Sequence, residues 1–216
     1  MKYTHAVWDF NGTVLNDVDT GIRAVNCLLS ERGLPTLKDA EAYRRVFHFP
    51  IKHYYQVLGF DFEKESYEAL APQWVSLYLQ MVVDAPLCEG VTEALSSFRA
   101  RGLSQTLLSA TEKGMLQGQV NDLGVADYFD EILGLDHIHA NSKLALANAW
   151  REAHPDAHAF MIGDTVHDFE SAETMQMDCY LIAGGHQPKE TLQATGAKVF
   201  DSLGDLLSYL TVENLI

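Results

Sequence analysis

An apolar run near the start of the chain leads directly into an acidic turn, where residues 6–13 read Ala-Val-Trp-Asp-Phe-Asn-Gly-Thr. The apolar residues 6–8 predict a short buried β-strand, and Asn11-Gly12 is typical of a tight turn. Because ligands bind at the carboxyl ends of strands in an open α/β sheet, Asp9 is a candidate nucleophile or metal ligand. An Asn-Gly pair also favours a β-hairpin, but residues 14–19 lead into a helical pattern rather than a second strand.

Beyond residue 86 the predicted strands and helices alternate. We predict strands at 103–109, 131–135, 157–162, 178–182 and 198–200, with helices at 90–101, 112–123, 142–153, 166–175 and 202–210. This alternation implies parallel strand pairing, so the predicted fold class is α/β, a Rossmann-like doubly wound parallel sheet.

Residues 15–85 contain no predicted strand. Apolar residues recur there at helical spacing, which predicts helices that include 36–47 and 51–58. A further helical run covers 67–81, and we expect Pro72 to divide that run or to open its second part. The predicted organisation is an α/β core of residues 1–14 and 86–216 with an inserted all-helical cap of residues 15–85.

The composition is that of a globular protein, with 47% hydrophobic and 21% charged residues in a chain of 216, long enough to bury a sizeable core. The net charge of −15 argues against nucleic acid and anionic membranes as partners, since both require a basic surface. Three widely spaced cysteines show no metal-binding pattern, so we expect a reducing, cytoplasmic environment. No signal peptide or run of transmembrane length is expected, and the chain is predicted to be a monomer or a homodimer.

Two positions carry groups that suit a phosphoryl ligand. Ser109 ends a predicted strand, where its hydroxyl and the backbone N–H of Ala110 would bind a phosphoryl oxygen; a turn or helix-capping serine is the alternative. Lys143 lies in the first turn of a helix that Asn141 or Ser142 would cap. A cation there opposes the helix macrodipole, which indicates a nearby anion unless the lysine is an ordinary surface residue.

A second acidic segment follows the predicted strand at 157–162. Asp164 comes directly after that strand, and Asp168 lies in the first turn of the next helix. Carboxylate oxygens are the ligands that Mg²⁺ prefers, so both residues are candidate metal ligands beside Asp9. An acid at the position of Asp168 also stabilises a helix start without any metal.

The two acidic segments carry a family resemblance. Residues 9–13, Asp-Phe-Asn-Gly-Thr, resemble the first motif of the haloacid dehalogenase superfamily, whose usual phosphatase form is Asp-x-Asp-Gly-Thr. Residues 163–168 resemble the fourth motif of that family, Gly-Asp-x-x-x-Asp. Two departures stand out: Asn11 replaces the second Asp, and Leu144 follows Lys143 where the third motif often has Pro.

The resemblance implies a phosphoglycolate-phosphatase-like enzyme that hydrolyses a small phosphorylated metabolite, a phosphate monoester, with Mg²⁺. It implies that Asp9 attacks phosphorus and forms an aspartyl-phosphate, and that the cap closes over the substrate. The implied catalytic residues are Asp9, Asn11, Ser109 and Lys143. The implied phosphate-binding residues are Ser109, Ala110 and Lys143, and the implied metal ligands are Asp9, the backbone carbonyl of Asn11, Asp164 and Asp168, the last either directly or in support of the others.

Asn11 alters the expected mechanism, because in the family the second Asp protonates the leaving group and then activates water. An amide does neither, and the loss of general acid–base help typically costs about 10²–10⁴-fold in rate. Three outcomes stay open: a phosphatase that is slow or limited to good leaving groups, one that borrows a cap residue such as His48 or His53, or a phosphate- or partner-binding protein with impaired catalysis.

Other functional classes fit less well. A dehalogenase would have no use for the acidic pair at 164 and 168, and a receiver-type signalling domain would lack the large insertion. A metal pair at His137 and His139 lacks a third ligand nearby.

Overall fold

The computed structural model describes residues 2–136 and 143–216. Within them, six parallel strands form one sheet in the spatial order β3-β2-β1-β4-β5-β6. The strands are β1 (His5–Trp8), β2 (Ser104–Glu112), β3 (Glu131–Leu135), β4 (Ala159–Gly163), β5 (Asp178–Ile182) and β6 (Lys198–Phe200). The predicted Rossmann-like doubly wound sheet is therefore confirmed.

Helices cover both faces of the sheet and fill the long connection after β1. They are α1 (Val18–Glu31), α2 (Ala40–Val46), α3 (Ile51–Val57), α4 (Tyr67–Met81), α5 (Val91–Ala100), α6 (Lys113–Asp122), α7 (Lys143–Ala153), α8 (Val166–Thr174), α9 (Lys189–Gln193) and α10 (Leu203–Val212), with short 3-10 turns at Val82–Asp84 and Ala126–Tyr128. None of the helices in the described ranges is long and apolar enough to cross a membrane.

Alternate residues of the central strands enter two separate apolar clusters. In β1, Ala6 and Trp8 join the larger cluster with side chains of α5 and α10, whereas Val7 joins the cluster on the opposite face with side chains of α7 and α8. Successive side chains of a strand point to opposite faces, so a strand covered on both faces is apolar throughout. This explains why residues 6–8 form a continuous apolar run.

The segment between β1 and α5 has an apolar cluster of its own. Buried side chains of α1, α2, α3 and α4 meet there; they include Val18, Val25, Leu28, Leu29, Tyr43, Tyr54, Tyr55 and Leu70. We call residues 15–85 the helical segment. Its two connections to the sheet run side by side, because the Asn16 N–H donates to the Pro86 carbonyl and the Cys88 N–H donates to the Val14 carbonyl, both at 2.9 Å.

Two details differ from the sequence-based element predictions, and one group of predictions is not tested. Pro72 lies inside α4, which continues through it, so the prediction that Pro72 divides or opens a helix is wrong. Helix α2 begins at Ala40 rather than 36, because the Asp39 side chain accepts a hydrogen bond from the Ala42 N–H and caps it there. The proposed α7 caps Asn141 and Ser142, and the pair His137 and His139, lie outside the described residues.

Candidate active site

Three carboxylates meet at the carboxyl edge of the sheet. Asp9 follows β1 and Asp164 follows β4, and these strands are neighbours, so the two side chains emerge side by side. Asp168 reaches the same point from the first turn of α8. One oxygen from each of the three lies within 4.8 Å of the others, and all three residues are buried. Together they form what we call the carboxylate cluster.

Lys143 provides a positive charge at this cluster. It is the first residue of α7, is 2% exposed, and its Nζ donates to Oδ1 of Asp9 and, at 2.5 Å, to Oδ1 of Asp168. Burial lowers the pKa of a lysine, but the charges of Asp168 and Asp9 outweigh burial and raise the pKa of Lys143. The two carboxylates therefore offset the unfavourable interaction of the ammonium with the helix macrodipole, as predicted from the position of Lys143 at a helix N-terminus.

The pKa values of the carboxylates show an excess of negative charge. Burial and the charge of Asp168 raise the pKa of Asp9 well above its usual range, although Lys143 opposes the shift. Burial, opposed mainly by the charge of His186, raises the pKa of Asp164 to about 6. For Asp168 the charge and hydrogen bond of Lys143 outweigh burial, and its pKa is lowered. One ammonium thus leaves the three carboxylates incompletely neutralised.

Asp164 is enclosed by backbone that only glycine permits. Its Oδ1 accepts from the Thr13 hydroxyl at 3.0 Å, and its Oδ2 accepts from the His186 N–H at 2.6 Å. A Cβ on Gly12 would lie 2.3 Å from Asp164 Oδ2, and one on Gly185 would lie 2.1 Å from the same atom. Gly12 also has φ +77°, so the Asn-Gly turn serves this close approach rather than a hairpin.

Asp168 has two structural roles. Its Oδ2 accepts a hydrogen bond from the Thr165 N–H at 2.9 Å while the Asp168 N–H donates to Thr165 Oγ1 at 3.3 Å, and these two bonds form a capping box at the start of α8. Its Oδ1 accepts from Lys143 within the carboxylate cluster. The helix-start interpretation and the cluster position are therefore compatible, since each uses a different oxygen.

Ser109 lies where regular pairing in β2 stops. The ladder to β3 is irregular between Leu108 and Glu112, which frees residues 109–111 to turn toward the site. The Thr111 N–H donates to Ser109 Oγ at 3.1 Å, and the Thr111 hydroxyl donates to Asn11 Oδ1 at 3.0 Å. The expected strand end at 109 is thus displaced to Glu112 by a bulged segment, and Thr111 links Ser109 to Asn11.

The side-chain nitrogen of Asn11 donates two hydrogen bonds. Its Nδ2 donates to Asp17 Oδ2 at 2.8 Å and to the Tyr78 hydroxyl at 2.9 Å. The Tyr78 hydroxyl in turn donates to Asp17 Oδ2 at 2.7 Å, and the Gly12 N–H donates to Asp17 Oδ1 at 2.9 Å. An amide suits this place because its nitrogen donates where a second carboxylate would face Asp17.

A buried ion pair completes this network. His186 Nε2 lies 3.2 Å from Asp17 Oδ1, and His186 Nδ1 lies 2.7 Å from the Tyr43 hydroxyl. Burial lowers the pKa of a histidine, but Asp17 outweighs it and raises the pKa of His186 to about 9. Burial likewise opposes ionisation of Asp17, but the charge and hydrogen bond of His186 lower its pKa. The pair is therefore ionised at neutral pH.

A cavity of about 280 Å³ opens from these groups toward the helical segment. Asp9, Asn11, Ser109, Ala110, Lys143 and Asp168 all line it, with aromatic side chains of α2, α3 and α4 opposite. Asp164 lies at the cluster but outside the lining. His48 and His53 do not line the cavity; their rings face each other, with Nε2 of His48 2.5 Å from Nδ1 of His53. The structure therefore does not bring either histidine to the cavity, and a borrowed acid or base from this pair stays a prediction.

Sequence reasoning missed four residues of this site: Asp17, Tyr78, Thr111 and His186. His186 follows Gly184-Gly185 just beyond the end of β5, so the rule that strand ends carry function would have found it. Tyr78 lies in the last turn of α4 at helical spacing, where nothing distinguishes it from a core residue.

Residues 6–182 match the model of the haloacid dehalogenase-like hydrolase family, which covers most of the chain. The protein belongs to this family of hydrolases, and the resemblance read from the two acidic motifs is confirmed. One solved structure, a haloacid dehalogenase-like family hydrolase from Streptococcus pneumoniae, superposes with a TM-score of 0.81 at 19% identity and covers 97% of this chain and 99% of its own. That likeness establishes the shared fold.

Two relatives are similar over most of their length. A phosphoglycolate phosphatase from Caulobacter vibrioides is 23% identical over 197 residues, 87% of this chain and 83% of its own. An N-acetylmuramic acid 6-phosphate phosphatase from Pseudomonas putida is 25% identical over 177 residues, 79% of this chain and 78% of its own. The two act on different phosphate esters by name, so they indicate a class of reaction rather than one substrate.

Proposed function

We propose that the protein is a Mg²⁺-dependent phosphatase that hydrolyses a small phosphate monoester through an aspartyl-phosphate on Asp9. The observation that carries the proposal is the position of Asp9, a buried carboxylate at the end of the central strand that lines a cavity beside Lys143 and Ser109. Both similar relatives are named phosphatases, which supports the same class of reaction.

The carboxylate cluster fits a divalent cation. Three buried carboxylates within 4.8 Å face a single ammonium, and burial and mutual repulsion raise the pKa values of Asp9 and Asp164. Such a set of hard oxygen donors with excess negative charge suits Mg²⁺. We propose Asp9, the backbone carbonyl of Asn11, Asp164 and Asp168 as the residues that hold it. When bound, the cation would neutralise negative charge on the transferring phosphoryl group.

The chain's own residues account for the first chemical step. A carboxylate oxygen of Asp9 would attack phosphorus, and the bond between phosphorus and the alcohol oxygen would break as the aspartyl-phosphate forms. Lys143, the Ser109 hydroxyl and the Ala110 N–H would bind the phosphoryl oxygens, where preorganised donors stabilise developing charge. Water would then attack phosphorus and release Asp9 and inorganic phosphate.

Asn11 leaves the departing alkoxide without a carboxylic acid at the usual position. Its amide is fully engaged by Asp17, Tyr78 and Thr111, so it positions groups without exchanging a proton. We propose that turnover is slow with poor leaving groups and fast with acyl phosphates, whose leaving group needs no proton. General acid help is typically worth about 10²–10⁴-fold, which sets the size of the expected difference.

The test is release of phosphate from acetyl phosphate with Mg²⁺, comparing wild type, Asp9→Asn and Asp122→Asn. We expect wild-type activity to disappear in Asp9→Asn and to persist in Asp122→Asn, a matched change on the exposed face of α6. Activity that survives Asp9→Asn would contradict the role of Asp9. An acid quench of wild type with ³²P-labelled acetyl phosphate should also retain label on protein, which Asp9→Asn should not.

The second candidate function is a phosphate- or partner-binding protein with impaired catalysis, and Asn11 is the observation that favours it. In that case wild type would bind inorganic phosphate with Mg²⁺ in calorimetry but release none from any ester.

We further propose that the helical segment acts as the cap that selects the substrate. The free thiols of Cys27, Cys88 and Cys179 support action in a reducing, cytoplasmic compartment.

A further inference from the structure

Helix α2 holds the loop that follows β5 from the side of the helical segment. The Arg44 guanidinium donates through Nε to the Gly185 carbonyl at 2.7 Å and through Nη2 to the Gly184 carbonyl at 2.5 Å. The neighbouring Tyr43 hydroxyl lies 2.7 Å from Nδ1 of His186. A Gly-Gly segment has no side chains that could fix its backbone, so these contacts from α2 supply the fixation.

The opposite side of the same loop contacts the carboxylate cluster. The His186 N–H donates to Asp164 Oδ2 at 2.6 Å, and a Cβ on Gly185 would lie 2.1 Å from that oxygen. The Gly185 carbonyl and the His186 N–H belong to one planar peptide group. Arg44 is therefore linked to Asp164 through a single rigid unit, in which the carbonyl accepts from the guanidinium and the N–H donates to the carboxylate. A charged donor at the carbonyl also polarises the peptide and strengthens the hydrogen bond that its N–H makes.

Arg44 is not placed to meet the substrate. It does not line the cavity, whereas Tyr43 and His186, which belong to the same contact, both do. Its two nitrogens bind two successive carbonyls, which suits the planar fork of a guanidinium. The next residue, Arg45, is exposed and pairs with Glu41 of its own helix. Of these two adjacent arginines, Arg44 alone holds the loop, and this difference offers a matched control.

We propose that Arg44 is a positioning residue for the metal site: when α2 is seated on the loop, Arg44 fixes the peptide between Gly185 and His186 and, through it, the Asp164 carboxylate. The proposal rests on the proposed function, because it takes Asp164 as a Mg²⁺ ligand. Groups that orient a metal ligand without touching the metal are typically worth about 10–100-fold in metal affinity. Arg44 acts one peptide further out, so its effect lies at the lower end, about tenfold. Metal binding and seating of the helical segment are thereby coupled, and each favours the other.

The first test is a calorimetric titration of metal-free protein with MgCl₂, comparing wild type, Arg44→Lys and Arg45→Lys. Lysine keeps the positive charge but has a single nitrogen on a flexible stem, so it does not reproduce two hydrogen bonds in a fixed plane. We expect the Mg²⁺ dissociation constant to rise about tenfold in Arg44→Lys and to stay within about twofold of wild type in Arg45→Lys. A dissociation constant in Arg44→Lys equal to that of wild type would overturn the proposal.

The second test follows the linking peptide without metal or turnover. In EDTA, the backbone amide proton of His186 reports its hydrogen bond to Asp164 in ¹⁵N-resolved NMR spectra. We expect this proton to move upfield in Arg44→Lys and to exchange with solvent about tenfold faster, whereas Arg45→Lys should match wild type. Urea unfolding checks that each variant is folded. A His186 amide that is unchanged in Arg44→Lys would contradict the link, whatever the variant does to stability.

Kinetics with acetyl phosphate distinguish positioning of the metal site from contact with the substrate. Arg44→Lys should need about tenfold more Mg²⁺ than wild type for half-maximal rate, and it should recover most of its lost rate at saturating Mg²⁺. A higher KM for acetyl phosphate or a lower kcat, with an unchanged Mg²⁺ requirement, would overturn the proposal and assign Arg44 to the substrate.

The outcomes separate this inference from the proposed function, because calorimetry and NMR need no turnover. Weaker Mg²⁺ affinity and a shifted His186 amide in Arg44→Lys, in a protein without phosphatase activity, would retain the role of Arg44 and overturn the enzyme. Phosphate release that depends on Asp9, with Mg²⁺ affinity unchanged in Arg44→Lys, would retain the phosphatase and overturn the role of Arg44. Wild type that binds no Mg²⁺ would overturn both the metal site and the role of Arg44.

Discussion

Replacing Asn11 by Asp would restore the family's usual residue and, in this chain, destabilise the fold. Nδ2 of Asn11 lies 2.8 Å from Asp17 Oδ2, so Asn11→Asp would place a second carboxylate oxygen against a buried, ionised carboxylate. At that distance two unit charges repel by about 6 kcal/mol with an effective dielectric constant of about 20. Protonating a carboxyl of pKa about 3.9 at pH 7 costs about 4 kcal/mol. Protonation is the smaller cost, so the variant should fold with the new acid neutral.

The pH dependence follows from this protonation. The folded variant would hold a proton that the unfolded chain releases, so its free energy of unfolding should fall as pH rises. Relative to wild type we expect a loss of about 4 kcal/mol at pH 7 that shrinks by about 1.4 kcal/mol for each pH unit below 7, down to about pH 5.

The assay is urea unfolding in EDTA from pH 5 to pH 8, on wild type, Asn11→Asp, Asp17→Asn and the double variant. Removing the Asp17 charge should abolish the extra pH dependence, so the double variant should run parallel to Asp17→Asn. The reasoning would be refuted if Asn11→Asp were not destabilised, or were destabilised equally at every pH. Either result would mean that position 11 does not need an uncharged donor beside the Asp17 carboxylate.

Three further predictions concern the carboxylate cluster. Lys143→Met should lower the free energy of unfolding by about 3–5 kcal/mol in EDTA, because Asp9 and Asp168 lose their buried counter-charge. The same variant should lose phosphatase activity. Urea unfolding measures the first effect, and acetyl phosphate turnover measures the second. Gly12→Ala should cost at least about 2 kcal/mol in the same assay, because its backbone has φ +77° and a Cβ would lie 2.3 Å from Asp164 Oδ2. MgCl₂ at ten times its dissociation constant should stabilise wild type by about 1.4 kcal/mol; no rise in melting temperature would contradict the proposed metal site.

The sheet and the positions of the motif residues were accessible from the sequence because both depend on local pattern. Asp9 and Asp164 follow apolar runs that form β1 and β4, and adjacent parallel strands bring such residues together. Their roles in catalysis stay predictions. The helix break predicted at Pro72 is absent from α4. A proline removes one helical hydrogen bond, and the packing of α4 against α1 compensates for that loss.

The network around Asn11 was not accessible from local pattern. Its members Asp17, Tyr78, Thr111 and His186 come from the start of α1, the last turn of α4, the bulge of β2 and the loop after β5. Only His186 carries a local signal, its place just beyond a strand end; the other three are ordinary residues in their own segments, and tertiary placement alone joins all four into one network. The substitution at position 11 was visible in the sequence, whereas its physical reason, the carboxylate of Asp17, was not.

The paired connections of the helical segment bear on how such proteins diversify. The chain leaves the sheet at Val14–Asn16 and returns at Pro86–Cys88 through two facing backbone hydrogen bonds. The sheet therefore requires only that the two ends of the inserted segment lie about one strand spacing apart, roughly 5 Å. A short turn or an unrelated module would satisfy the same requirement. Exchange of residues 15–85 as one cassette would leave the carboxylate cluster and Lys143 in place but would remove Asp17 and Tyr78, so a replacement segment has to supply new partners for Asn11 and a new counter-charge for His186.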